Sequence, residues 1–282
     1  RWLWVLLTAA LILFTFFYPI PAFRGDIIVS EGFKMGSLMI RYYGLTLALG
    51  VLAGWLICSK FAQKLNFDSR KFDNLLLVAV ISGLLGARLL VVVENLDFFL
   101  QNPSEIYKFW HGGLAIYGGI AGGIFGAIIY AKKNKLEILK TLDVLALGMP
   151  LGQAIGRFGN FFNGEAYGPP TNLPWKMYVQ PMHRTAEMLT SKFYHPTFLY
   201  ESLWNLLVFA FLLYLSRKSR RPGTLLLMYL GLYSFARFFL EYLRIDSLRI
   251  FSWRLNQIIS LLIFLLVIVI WFRRHINHAQ TS

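Results

Sequence analysis

The sequence predicts an all-α fold, that of a polytopic integral membrane protein, and three observations carry the expectation. Only 15% of the 282 residues are charged and 57% are hydrophobic, whereas a soluble domain carries about 25% charged residues. Apolar runs recur that match the roughly 20 residues a helix needs to cross a bilayer. Lysine and arginine collect in alternate connecting loops, the bias that marks the cytoplasmic side of a membrane. By length alone the chain would also suit two soluble domains, but it has too little polar surface to coat them.

Taken in order, the apolar runs fall near 2–22, 42–60, 74–93, 112–130, 141–160, 197–216, 223–240 and 255–272. Polar residues interrupt the ends of the fifth and seventh. Lys60, Lys64, Arg70 and Lys71 follow the second run, and Lys132, Lys133, Lys135 and Lys140 follow the fourth. Arg217, Lys218, Arg220 and Arg221 lie in the turn "RKSRRPG", and Arg273 and Arg274 begin the tail. In an eight-span arrangement all of these share one side, so both termini are expected in the cytoplasm. The net charge of +14 is then a topology signal and not a nucleic-acid footprint, since no soluble segment interleaves basic and aromatic residues.

The first run, "WLWVLLTAALILFTFFYPIPA", is expected to be an extra N-terminal span or a signal-like anchor over residues 1–22. It lacks a clear small-residue cleavage site, and Arg1 is a weak basic leader. Residues 23–272 then form a multispan membrane domain and residues 273–282 a cytoplasmic tail. Within that domain the polar stretch from Tyr167 to His195, with Pro169, Pro170, Pro174 and Pro181, is expected to be an external cap. Cys58 is the single cysteine, which excludes a disulfide framework and a cysteine-rich metal site.

Charged side chains at membrane depth are costly and tend to mark a site. Four clusters qualify, all near expected external ends of spans. In "GRFGNFFNGEAYG", Arg157, Asn160 and Gly164 share a helical face, followed by Asn163 and Glu165, and the glycines permit close approach. A glycine-packed helix end with an Arg157–Glu165 pair is the structural alternative. In "YSFARFFLEYLR", Tyr233, Arg237, Glu241 and Arg244 form a stripe; two arginines against one carboxylate suit an anionic ligand, while a structural ladder is the plainer reading. "HGGLAIYGGIAGG" places His111 and Tyr117 around glycine pairs that allow close helix packing. In "HPTFLYE", Pro196 suits the first turn of a helix, leaving His195 outside it and Tyr200 and Glu201 one turn in. Arg41, Tyr42, Tyr43 and Gly44 add interfacial groups, as does Arg88, whose structural role would be to pair with a carboxylate such as Glu94.

Several chemistries lack their motifs. No His-x-x-x-His spacing supports a metal, and no Gly-Lys-Ser/Thr ending makes a nucleotide loop. No Gly-x-Ser-x-Gly elbow appears, and the aspartates needed by a metal-dependent phosphotransferase are scattered. An arginine-rich intramembrane site points to a lipid phosphate, because the guanidinium fork matches that group.

The segments "RYYG", "GARLL", "HGGLAIYGG", "GRFGNFFNGEAYG", "HPTFLYE" and "YSFARFFLEYLR" occur in the order found in bacterial prolipoprotein diacylglyceryl transferases. The chain resembles that family from about Arg41 to Trp271. The resemblance implies a seven-span inner-membrane enzyme, with the N-terminal run as an addition. It implies transfer of the diacylglyceryl group of phosphatidylglycerol to the lipobox cysteine thiol of a preprolipoprotein, forming a thioether and releasing glycerol phosphate. No cofactor, metal or nucleic acid is expected, the partners being membrane lipid and the signal peptide, and the working form a monomer. By the same resemblance Arg157 sits on the lipid phosphate with Arg237 as the second essential arginine. Asn160, Asn163, Glu165 and Gly168 match the rest of the signature; Glu241, Arg244 and Tyr43 match further family positions. Part of the family has a histidine where this chain has Tyr117, which leaves three routes for the thiol proton: His111, a Tyr117 relay, or arginine fields without a dedicated base. His195 is a reserve candidate. The rival class, a transporter or channel for an anionic solute, would carry inverted repeats with broken helices, and the sequence shows none.

Overall fold

The computed structural model describes residues 19–36, 38–109, 112–218, 221–245, 247, 249–250 and 253–279. Most of the expected N-terminal span therefore lies outside the described residues, and so does His111. The helices are α1 (Pro19–Arg24), α2 (Tyr42–Lys64), α3 (Ser69–Glu94), α4 (Leu96–Gln101), α5 (Ile116–Lys133), α6 (Ile138–Phe162), α7 (Thr197–Ser216), α8 (Thr224–Leu240) and α9 (Leu255–Ala279). Short antiparallel pairs join them: β1 (Gly32–Met35) with β2 (Leu38–Arg41), β3 (Met177–Tyr178) with β4 (Phe193–Tyr194), and β5 (Arg249–Ile250) with β6 (Trp253–Arg254).

Six described helices, α2, α3, α6, α7, α8 and α9, are long and apolar enough to cross a membrane. Their outward faces carry exposed Leu, Ile and Phe, among them Leu85, Leu89, Leu207 and Leu262. A soluble protein would bury such side chains, whereas lipid solvates them. Helix α5 is shorter and glycine-rich. It also begins at Ile116, where the sequence suggested a span from 112. Gly112 and Gly113 have φ of 95° and 77°, a left-handed backbone that turns the chain and cannot continue a right-handed helix. Helix α3 in turn starts earlier than its apolar run, at Ser69, because Asp68 caps it by accepting a hydrogen bond from the Lys71 backbone N–H at 3.1 Å.

The chain divides into two compact units. The first comprises residues 1–54, 147–220 and 224–282. Within it, Gly50 of α2 and Gly152 of α6 meet so closely that a Cβ on Gly50 would lie 2.6 Å from the Gly152 carbonyl oxygen. The expected cap folds around Tyr167, Met177, Val179 and Tyr194, packed on Ala22, Phe161 and Phe198. Its polar ends are satisfied internally: Tyr167 donates to the His183 carbonyl at 2.6 Å, and Tyr194 donates to the carbonyls of Met188 and Ser191.

The second unit comprises residues 55–146 and 221–223. Its centre is the seam between α3 and α5. A Cβ on Gly118 would strike the Gly86 carbonyl and approach Leu90 Cβ to 2.7 Å, and one on Gly122 would strike the Ser82 carbonyl. Small residues thus let two backbones touch, the packing that membrane helices use where no hydrophobic force separates protein from lipid. At one end of the seam Arg88 is buried and donates to backbone carbonyls: Ile106 at 3.0 Å, Gly112 at 2.6 Å, Gly113 at 2.9 Å, and Glu105. Its charge also lies 5.1 Å from the Phe99 ring centroid. Glu94 is not its partner. The left-handed glycines turn their carbonyls toward the guanidinium instead.

Candidate active site

Helix α6 continues from its glycine seam into the signature stretch, so Arg157, Asn160 and Phe161 occupy its last turns. Gly164 at φ 63° and Ala166 at φ 54° then reverse the chain. Three glycines of the stretch sit in close approaches. The Tyr43 ring would lie 2.8 Å from a Cβ on Gly159, the His183 ring 2.7 Å from one on Gly164, and both His195 Cβ and the Leu243 carbonyl 2.8 Å from one on Gly168. These glycines bring α2, the cap and the end of α8 up to the arginine-bearing turn.

Glu201, in the second turn of α7, is the hub. It is 3% exposed, and its two oxygens take Arg157 Nη2 at 2.6 Å and Arg237 Nη1 at 2.9 Å, with Arg244 Nη1 at 3.6 Å. Arg237 also lies 2.8 Å from Glu241 Oε2, an ion pair by distance although not aligned as a hydrogen bond. Glu241 is fully buried; Asn256 donates to its Oε1 at 3.0 Å, and Arg254 donates to its backbone carbonyl. Two carboxylates removed from solvent need such partners, since an unpaired buried charge costs several kcal/mol, on the order of 3–5. The count does not stop at neutrality. Four arginines, Arg157, Arg237, Arg244 and Arg254, contact Glu201 or Glu241, so the cluster keeps an excess of positive charge.

Glu165 does not pair with Arg157, as the structural alternative had it. It is exposed and accepts from Asn160 Nδ2 at 2.8 Å and Asn163 Nδ2 at 3.5 Å. The two asparagines order the carboxylate at the rim, leaving Arg157 to Glu201. Beside them the Tyr200 hydroxyl accepts from Trp175 Nε1 at 2.8 Å and lies 3.1 Å from His195 Nδ1. Gly168 N–H donates to the His195 carbonyl at 2.8 Å, tying the end of the signature to the start of α7.

The structure thus gathers Tyr43, Arg157, Asn160, Asn163, Glu165, Gly168, His195, Tyr200, Glu201, Arg237, Glu241 and Arg244 within the first unit. Arg88 and Tyr117 belong to the second unit, Tyr117 in the exposed first turn of α5. The sequence undervalued Glu201, which it offered as part of a helix start, and passed over Arg254, Asn256 and His183. An intramembrane carboxylate facing two separate arginine motifs was the signal available for Glu201. Nothing in the local pattern marked the others.

The chemical capacity of this arrangement is to hold and neutralise an anion. Guanidinium groups already fixed by carboxylates lose little freedom on binding, and they act in a low-dielectric site where charge stabilisation is strong. Comparison with known proteins gives the family. Residues 31–273 match the family model described as prolipoprotein diacylglyceryl transferase. Proteins named phosphatidylglycerol–prolipoprotein diacylglyceryl transferase are similar along most of their length. That of Fervidobacterium nodosum is 41% identical over 251 residues, covering 88% of this chain and 86% of the relative. That of Thermosynechococcus vestitus is 42% identical over 230 residues, covering 81% and 86%. That of Thermotoga maritima is 40% identical over 257 residues, covering 90% and 87%. With its spanning helices, its signature turn and its arginine cluster in place, this chain belongs to the prolipoprotein diacylglyceryl transferase family.

Proposed function

We propose that this multi-pass membrane enzyme transfers the diacylglyceryl group of phosphatidylglycerol to the lipobox cysteine of a preprolipoprotein. The observation that carries the reading is the Glu201-centred arginine cluster in a member of this family. The cysteine sulfur attacks the glycerol carbon that bears the phosphate; a C–S bond forms as the C–O bond breaks, and glycerol phosphate leaves. Negative charge grows on the departing phosphate oxygen. Arg157 and Arg237 supply donors for that charge, and Glu201 holds both guanidiniums in place beforehand. Asn160, Asn163 and Glu165 orient the rim, Tyr43 packs against the signature turn at Gly159, and Glu241 and Arg244 complete the cluster.

A free cysteine has a pKa near 8.5 and must lose its proton to react. His111 and Tyr117 are the candidates in the glycine motif, and the positive field of the arginines favours the thiolate without either. The pH–rate profiles of His111→Asn and Tyr117→Phe distinguish these routes. A lost alkaline-rising limb identifies the base, and unchanged profiles in both assign activation to the arginines.

In the bacterial plasma membrane the basic residues around the α2–α3, α5–α6 and α7–α8 junctions, with Arg273 and Arg274 in the last turns of α9, support a cytoplasmic C-terminus. Arg157 and Arg237 near the ends of α6 and α8, and Glu201 near the start of α7, belong to the external ends of their helices. A single chain supplies every member of the cluster, in keeping with a monomer. Purified protein, given phosphatidylglycerol and a lipobox peptide with chelator present, is expected to form the thioether, read as the peptide mass gain. No product under these conditions overturns the reading.

A further inference from the structure

Helices α7 and α8 run in opposite directions. Glu201 meets Arg237, and three residues later Trp204 Nε1 donates to the Leu232 carbonyl at 3.1 Å. Between them lies a narrow crevice lined by Glu201, Trp204, Asn205, Tyr233 and Arg237 among others. It has two tiers one helical turn apart. The Glu201–Arg237 pair forms the charged tier. Asn205 and Tyr233, each four residues further toward mid-helix, form a neutral one.

Asn205 is 2% exposed, and its Oδ1 has no hydrogen-bond partner. A buried amide oxygen without a donor is costly in an apolar surrounding, so such a group calls for a ligand or water that completes it. The completing group must donate. In phosphatidylglycerol the phosphodiester and both acyl esters only accept; the donors are the two hydroxyls of the head-group glycerol. Those hydroxyls stand a few bonds from the phosphorus, so with a phosphate on the arginine tier they are within reach of the neutral tier.

We propose that Asn205 accepts a hydrogen bond from a head-group glycerol hydroxyl and is a specificity-determining residue of the site. The inference rests on the function proposed above and adds how the head group is read. A site built to bond a hydroxyl rejects the analogue that lacks it, because its own polar group is then left unpaired.

The test compares phosphatidylglycerol with phosphatidylpropanol of the same acyl chains, which keeps the phosphodiester and the three-carbon head but has no hydroxyl. The full chain in mixed micelles is expected to favour phosphatidylglycerol in kcat/KM by about tenfold or more, the worth of one well-placed hydrogen bond. In Asn205→Ala that ratio falls toward one, through a loss on phosphatidylglycerol and not on the analogue. Both lipids are measured on one preparation, so any misfolded fraction cancels from the ratio. An unchanged ratio in Asn205→Ala, no preference in the unmodified chain, or an equal loss on both lipids as for an amide that holds only water, overturns the inference. Thermal stabilisation by each lipid reads the same discrimination without turnover. Absence of transfer with a hydroxyl-dependent stabilisation that Asn205→Ala abolishes would sink the proposed function and leave the hydroxyl contact standing.

Discussion

Arg88 and Arg157 are both arginines in spanning helices, and their surroundings make them different instruments. Arg88 aims its donors at backbone carbonyls of residues 105, 106, 112 and 113. Those oxygens are fixed by the chain, so the guanidinium acts as a clasp on the segment leading into α5. Arg157 faces one oxygen of Glu201 and keeps 22% of its side-chain surface exposed. A carboxylate holds it without filling its fork. Charge in a membrane is therefore no sufficient mark of a catalytic site; what the charge is paired with decides. Donors met by backbone build structure, and donors met by a shared carboxylate remain available to an anion.

The contrast is sharpest at Arg237, which bridges Glu201 and Glu241. Arg237→Ala is expected to lower kcat/KM for transfer by about 10²–10³, the range for removing one preorganised charge-stabilising donor. Retained activity would reduce Arg237 to a structural strut. Glu201→Gln should cost less activity, about ten- to a hundredfold, because the arginines stay but lose their tether. Its thermal midpoint should also fall, as a buried ion pair broken on one side leaves arginines unmatched. Loss of stability with full activity would show that the carboxylate serves the fold alone.

Arg88→Met inverts the pattern. It removes several charge-assisted bonds, each worth about 1.5–3 kcal/mol, so the main loss is expected in thermal stability, with the activity of the folded fraction less affected than in Arg237→Ala. An activity loss equal to that of Arg237→Ala with no thermal change would dissolve the distinction. The glycines give the smallest contrast. Gly118→Ala puts a Cβ against the Gly86 carbonyl and should destabilise by about 1–3 kcal/mol, the usual cost of overpacking. Gly156→Ala meets nothing nearer than Leu47 Cδ1 at 4.0 Å, so its stability should hold or rise slightly through better helix propensity.

The spans were legible because an apolar run of helical length has few other readings. Their ends were not: Asp68 extends α3 past its apolar stretch, and Gly112 and Gly113 delay α5. The three strand pairs were missed because strands of two to four residues leave almost no periodicity, although Gly36 with φ 64° follows the rule for a tight hairpin turn. At the site, the motifs named most members of the arginine cluster but not their connections. Glu165 stood beside Arg157 in sequence, yet the partner is Glu201, on another helix. Asn205 passed unnoticed because one asparagine in an apolar helix has no local pattern; only its lack of a partner in three dimensions marks it.

The central claim is that Arg157 is held by Glu201 for an incoming lipid phosphate. Its most direct test is the rate of diacylglyceryl transfer from phosphatidylglycerol to a lipobox peptide by Arg157→Ala, measured beside its thermal midpoint. Glu201 keeps Arg237 in that variant, so the midpoint should move by only a few degrees, about what 1 kcal/mol brings in a chain of this size. The transfer rate should fall by about 10²–10³. Transfer at the unmodified rate, or a loss of activity matched by a loss of folded protein, would contradict the claim.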